Sequence, residues 1–259
     1  MYKFIKLTIL VSSDIDYENE VFFKDEDGLI KDYLMTLNKN GQIMSDYSLL
    51  KDNDKYIVYC NVAEVDAINE KYNNEYVNRS YKYLTIKLDV LGDNISYYDD
   101  CDCGKTSWYL LYADYTSFDS DSPLFCGECG KAISLHKIPK LFGEKEHWKL
   151  LIYQETYTAV DTLWMNSLSD RFTKRQITDV NSQLVKSGLE VRKELEDKLS
   201  KPIYLYIRKP MGGWFGPDTN EKTFDKCPIC GESLQPSLNN DICGKMCHKC
   251  RVSYNVYDD

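Results

Sequence analysis

Eight of the ten cysteines fall into four tight pairs: Cys101/Cys103, Cys126/Cys129, Cys227/Cys230 and Cys247/Cys250. Thiolate sulfur is the preferred protein ligand of Zn2+ in structural sites, where four sulfurs close a tetrahedron around the ion. The last four follow that logic directly. Cys227-Pro-Ile-Cys230-Gly and Cys247-His-Lys-Cys250 are separated by sixteen residues, the spacing of a zinc ribbon. The first four, Cys101-Asp-Cys103-Gly and Cys126-Gly-Glu-Cys129-Gly, have twenty-two residues between their halves. Glycine directly after the second cysteine suits the turn, which often needs positive φ. Two Zn2+ are therefore expected, one on each set of four.

The same residues argue against catalysis. Catalytic zinc keeps a position open for water, and a shell of four thiolates leaves none and makes the ion a poor Lewis acid. In the zinc deaminase arrangement a glutamate shuttles protons, but Cys103 stands where that glutamate belongs and Glu128 lies in the wrong motif. His147 lacks a second histidine four residues on, His136 has no nucleophile near it, and His248 reads as an exposed knuckle residue or a spare ligand. No nucleophile elbow, dinucleotide fingerprint or kinase set occurs, and Gly-Gly-Trp-Phe-Gly at 212–216 is a turn rather than a phosphate loop. No catalytic residue is assigned, and the expectation is a protein that is not an enzyme. Cys60 reads as a small buried hydrophobe, and Cys243 is close enough to Cys247 to substitute as a ligand. The acidic pairs Asp99/Asp100 and Asp119/Asp121 read as solvated loop charge.

The amino terminus holds only five consecutive largely apolar residues, Leu7 to Val11, before acidic ones follow, which is neither a signal peptide nor a membrane span. A cytoplasmic protein with reduced thiols is expected. Net charge is −9, and residues 1–100 hold most of it, with eleven basic against nineteen acidic side chains. Each filled four-thiolate site adds a further −2.

The elements that must position the cysteines are legible in outline. Residues 3–11 alternate as a half-buried strand, and 26–38 carry Leu29, Ile30, Tyr33, Leu34 and Leu37 at helical spacing until Asn40-Gly41. Strand-like runs at 42–50 and 56–62 flank a polar turn, with a helix over 63–76 and a strand over 81–90 beyond. That β-α-β-β-α-β order predicts a ferredoxin-like domain over 1–98. Residues 99–221 are expected to form a four-cysteine zinc module with a helical hairpin, and 222–259 a zinc ribbon, giving an α+β protein of three parts. In the hairpin, Trp148, Leu151, Ile152, Ala159, Val160, Leu163 and Trp164 form one expected apolar face. Val180, Leu184, Gly188, Val191, Leu195 and Leu199, on a helix expected over 178–199, form the other, with Gly188 allowing close backbone approach.

Taken in order, several segments resemble a bacterial family of zinc-ribbon-containing proteins described as candidate nucleic-acid binders. They are Cys101-Asp-Cys103-Gly, Cys126-Gly-Glu-Cys129 with Leu135-His-Lys-Ile-Pro139, Trp148…Asp161-Thr-Leu163, and Ser182…Leu184…Ser187-Gly188…Leu195-Glu196. Pro202-Ile-Tyr-Leu-Tyr and the closing Cys227-Pro-Ile-Cys230-Gly…Cys247-His-Lys-Cys250-Arg-Val-Ser complete the set, over about residues 98–259. The resemblance implies two zinc sites on the eight cysteines and brings no catalytic residue. The chain departs from the family at Glu232-Ser-Leu, where an aromatic usually follows the knuckle.

Two functions are in view. Acidic charge with tyrosines 17, 47, 72, 76, 97 and 98 suits a cationic protein partner, as for an inhibitor or an immunity protein against a basic toxin. The alternative is nucleic acid held by the ribbons. Lys226, Lys245, Lys249 and Arg251 lie around the last site, and Lys131, Lys137 and Lys140 follow the first. Trp214, Phe215 and Tyr254 would stack on bases. The acidic body opposes phosphate, so protein binding is favoured.

Overall fold

A computed structural model of the chain describes residues 2–95, 100–113, 122–208, 225–239 and 244–254. The architecture is α+β, in two compact units: residues 1–100 with 134–148, and residues 101–133 with 149–259. The second unit contains all eight paired cysteines.

In the first unit, β1 (Lys3–Val11) buries Ile5, Leu7 and Ile9 completely and leaves Phe4 and Leu10 exposed, as its alternation requires. The helix α1 (Glu26–Lys39) is capped by Asp25, whose carboxylate accepts from Gly28 N at 2.7 Å, and lays Leu29, Ile30, Tyr33, Leu34 and Leu37 in the core. Gly41 ends the run at φ 75, where a Cβ would fall 2.3 Å from the Cβ of Leu135. The strands β2 (Ser48–Asp52), β3 (Lys55–Val62) and β4 (Leu84–Asp93) complete an antiparallel sheet of order β2-β3-β1-β4.

Two expectations here need correction. The strand expected from residue 42 begins at Ser48, because Asn40 and Gln42 are buried and bond each other, Ala67 O and Tyr72 O instead of a ladder. The helix expected over 63–76 breaks into 3-10 turns at Val65–Ile68 and Glu70–Tyr72, followed by α2 (Glu75–Tyr81). Asn69 accepts from Lys71 N, and Asn74 from Val77 N. Such local side-chain bonds divert backbone donors from a continuous helix.

The second unit is built on one sheet. Its strands are β5 (Tyr109–Leu111), β6 (Leu124–Cys126), β7 (Ile203–Ile207), β8 (Gln235–Pro236), β9 (Lys245–Cys247) and β10 (Val252–Tyr254), in the order β6-β5-β7-β10-β9-β8. The central β7 runs parallel to both β5 and β10 and is buried at all five residues, which is why it reads Ile-Tyr-Leu-Tyr-Ile without alternation. It joins the hairpin of the first cysteine set to that of the second.

Three helices occupy the stretch expected to be a hairpin: α3 (Trp148–Met165), α4 (Asp170–Thr178) and α5 (Gln183–Leu199). Ser167 and Ser169 sit at φ 54 and 55, a left-handed step that no helix continues through. The inward face of α3 is Leu150, Tyr153, Tyr157 and Asp161, while Trp148, Ile152 and Leu163 are exposed. Apolar residues surround this helix, so periodicity marks no single face. On α5 the expected Leu184, Gly188, Val191 and Leu195 are buried and Leu199 is half-buried, while Val180 is half-buried in the turn before the helix, which begins at Gln183 rather than at 178. A Cβ on Gly188 would come 2.9 Å from the Tyr153 ring and 3.0 Å from Leu205.

Candidate metal centres

Each centre begins with a hydrogen-bonded loop that the backbone can close only with a left-handed residue. Cys126 N donates to Lys131 O at 2.8 Å and Gly130 N to Cys126 O at 2.9 Å, with Gly130 at φ 71. The same pattern recurs in the second set: Cys227 N donates to Glu232 O and Gly231 N to Cys227 O, both at 2.8 Å, with Gly231 at φ 74. Gly104, at φ 63, serves the Cys101/Cys103 pair. The fourth loop has no glycine. Arg251 adopts φ 54 in its place, and its guanidinium donates to the Tyr204 hydroxyl at 3.1 Å and lies 3.5 Å from the Glu196 carboxylate.

These loops bring the eight sulfurs into two groups of four, each with all its sulfurs within 4.8 Å of one another. In the first, Cys101 lies 3.5 Å from both Cys103 and Cys129, and Cys103 lies 3.7 Å from Cys126. In the second, Cys230 and Cys247 are 3.6 Å apart, and Cys250 N donates to Cys247 Sγ at 3.4 Å. Four sulfurs about 2.3 Å from a tetrahedral zinc stand about 3.8 Å apart, so the donor sets fit that ion. The separations are far beyond the ~2.05 Å of a disulfide, and the thiols are free. The backbone N–H of Lys105 holds the Cys103 thiol down to about 7, and that of Glu232 lowers Cys230. Burial raises Cys101, Cys129, Cys247 and Cys250. A bound cation would reverse that burial effect by stabilising the thiolates.

Second-layer residues that sequence reasoning missed hold the two centres to one strand. Thr106 Oγ1 stands 3.1 Å from Cys126 Sγ. The hydroxyl of Tyr204, on β7, bonds His248 Nδ1 at 2.8 Å, and the Tyr204 ring meets Trp108 edge-on at 5.6 Å. His248 is thus exposed but tethered, and the second group is formed by cysteines alone. Trp108 lies over Gly127, whose N–H donates to Trp108 O at 3.0 Å. No sequence periodicity marks Tyr204 or Thr106 for these roles.

Several of the basic residues near the cysteines are already engaged. Lys245 pairs with Asp225 at 3.1 Å, Lys249 with Glu232 at 2.7 Å, and Lys131 approaches Asp102 at 3.9 Å. Lys137 and Lys140 belong to the first unit, where Lys137 bridges Asp100 and Glu64, and Lys140 bonds the buried His147 at 3.0 Å. Tyr254 is buried, which removes it as a stacking platform. Asp100 is buried too, accepting from Ser134 N at 2.8 Å, and is no solvated loop charge. Cys60 is fully buried as expected. Tyr17, Tyr47, Tyr72 and Tyr76 are half-buried rather than exposed. Tyr97, Tyr98, Asp99, Asp119, Asp121, Trp214, Phe215, Cys243 and the 212–216 turn lie outside the described residues. Among the described residues, no helix is long and apolar enough to cross a membrane.

Comparison with known proteins places two matches on this frame. A domain of unknown function, DUF2310, matches residues 103–208, from Cys103 to just past β7, and a second, DUF8589, matches residues 12–95. Two uncharacterized proteins of Haemophilus influenzae are similar. One is 26% identical over 204 residues, 74% of each chain, and the other 27% identical over 174 residues, 65% of this chain and 81% of the relative. No solved structure matches. The chain is thus similar to two domains of unknown function and to two uncharacterized bacterial proteins.

Proposed function

We propose that this is a non-enzymatic zinc protein whose two four-cysteine centres are structural, and that it binds a cationic protein partner, as an inhibitor or immunity protein of a basic toxin would. The closed sulfur sets support the structural role, since neither leaves a ligand position for water or substrate. Each hairpin bears cysteine loops in ribbon fashion, and the order β2-β3-β1-β4 with antiparallel pairing supports a ferredoxin-like first unit.

One observation carries the choice of partner. Between Asp14 and Asp27 the chain places seven carboxylates against one lysine, with Val21 79% and Phe22 60% exposed among them. The Arg79 guanidinium stacks 3.7 Å over the Phe22 ring, and an exposed apolar pair among mainly acidic side chains suits a basic protein surface, by steering first and burial second. The first unit as a whole carries fourteen basic against twenty-one acidic side chains. Lys245, Lys249 and Lys131 face carboxylates, which works against phosphate binding there.

The test is purification of the protein from its native host with identification of what co-elutes, followed by kinetics. The expected result is a 1:1 complex with a basic protein, whose association slows as salt rises and weakens when Phe22 becomes Ala. A retarded nucleic-acid species near about 50 mM salt, with no protein complex, contradicts the proposal.

A further inference from the structure

The strand β4 is an open edge with a self-complementary sequence. It pairs with β1 on one side only, and none of its ten residues is fully buried. Among the described residues, no other backbone group bonds residues 84–93. Open edges of this length invite strand pairing unless something covers them.

The residues along this edge select the partner. Lys87 and Asp89 project from the same face, 3.1 Å apart, Lys87 exposed and Asp89 half-buried. Directly opposed residues of an antiparallel pair project to the same side, so two copies related by a two-fold axis at Leu88 would set Lys87 of each against Asp89 of the other. On the helix-bearing face the same axis sets Leu88 against Leu88 and Ile86 against Val90. Moving the axis to residue 87 opposes two lysines, and moving it to 89 opposes two aspartates; both registers are repelled. Beyond Val90 the ladder with β1 shifts between Phe4 and Ile5, which limits regular pairing to the five residues 86–90.

A second observation lies beside this edge. Because the helix expected over 63–76 collapses into short turns, the inner side of β4 is incompletely covered. A cavity of about 550 Å3 remains there, lined by Ile86 and Leu88 with Tyr33, Val65, Ile68 and Tyr81, and with Asp66 and Asn69 at its polar side. Val90 is 50% exposed next to it in sequence.

We propose that β4 pairs antiparallel with β4 of a second copy of this chain, about an axis at Leu88, joining two four-stranded sheets into one of eight strands. The Lys87–Asp89 pairs fix the register, and Leu88 and Val90 of the second copy cover the Ile86 and Leu88 side of the opening.

Sedimentation equilibrium of the zinc-loaded chain tests this, using charge exchange at Lys87 and Asp89, neither of them in the core. The expected result is a reversible dimer. Lys87→Asp and Asp89→Lys should each raise its dissociation constant by about tenfold or more, since each turns two cross-strand attractions into repulsions. The double variant Lys87→Asp/Asp89→Lys should bring it back to within about threefold of the parent. Thermal unfolding of each variant checks that the monomer is intact. A parent that stays monomeric at about 100 µM, a dimer indifferent to the single exchanges, or a double variant as weak as the singles overturns the proposal.

Discussion

Gly127 is the position where the packing around the first centre is least forgiving. It follows the ligand Cys126, and a Cβ there would stand 2.1 Å from both Cδ2 and Cε2 of Trp108. Carbon atoms in contact prefer about 3.5–4.0 Å, so Gly127→Ala demands a separation of roughly 1.5 Å. The indole cannot supply it. Trp108 is 3% exposed, its ring abuts the edge of Tyr204, and the Gly127 N–Trp108 O bond ties the two backbones together. Overpacking of a filled core costs about 1–3 kcal/mol and more when nothing can move, so a loss of about 4 kcal/mol is expected. Much of that strain would displace Cys126, so zinc affinity at the first centre should fall by about a hundredfold or more. Gly104→Ala is the control. Nothing lies within 4 Å of its added Cβ, and only the left-handed φ of 63 opposes it, a cost of about 1–2 kcal/mol. Urea unfolding and zinc transfer to a chromogenic chelator measure both quantities. Gly127→Ala within about 0.5 kcal/mol of the parent, or less harmful than Gly104→Ala, would refute the steric argument.

Three further outcomes are expected. Arg251→Gly relieves a left-handed side chain worth about 1–2 kcal/mol but loses a hydrogen bond and a partly exposed ion pair of about the same total, whereas Arg251→Ala loses the contacts and keeps the strain. Denaturant midpoints should therefore rank Gly above Ala by about 1 kcal/mol, and the reverse order would show that φ does not matter there. Gly188→Ala adds about 1 kcal/mol of helix propensity, but its methyl meets Tyr153 and Leu205 at 2.9 and 3.0 Å. A net loss of about 1 kcal/mol is expected, and a more stable variant would mean that α5 shifts freely. Burial, with Lys140 and His136 nearby, lowers His147 to about 3. Between about pH 6.5 and 3 the unfolded chain therefore binds a proton that the native chain refuses, and stability falls on acidification by up to about 1.4 kcal/mol per unit from this group. His147→Gln should shrink the drop in urea midpoint between about pH 7 and 5, and an unchanged drop would count against the burial assignment.

How much of this could be read from the chain depends on where the cause lies. Cysteine spacing is local, and each pair closes its own turn, so the two sulfur groups were legible residue by residue. The strand β1 and helix α1 also follow from local alternation and from the Asp25 cap. The broken second helix was not legible, because Asn69 and Asn74 act through single side-chain bonds that periodicity does not register. The inward face of α3 was misread because its apolar residues ring the helix, and only the neighbouring β7 and α5 decide which side is buried. The pairing of β7 with both cysteine hairpins joins segments far apart in sequence, and nothing in Ile-Tyr-Leu-Tyr-Ile names its neighbours. The exposed tyrosines failed for a related reason: an amphipathic ring is at home half-buried, so its presence does not predict a surface.

The account stands on two closed shells of sulfur. Elemental analysis of the purified chain combined with X-ray absorption at the zinc edge tests it most directly. It should return two zinc ions per chain, each with four sulfur neighbours at about 2.3 Å. One ion or none per chain, or nitrogen or oxygen in either shell, would contradict it.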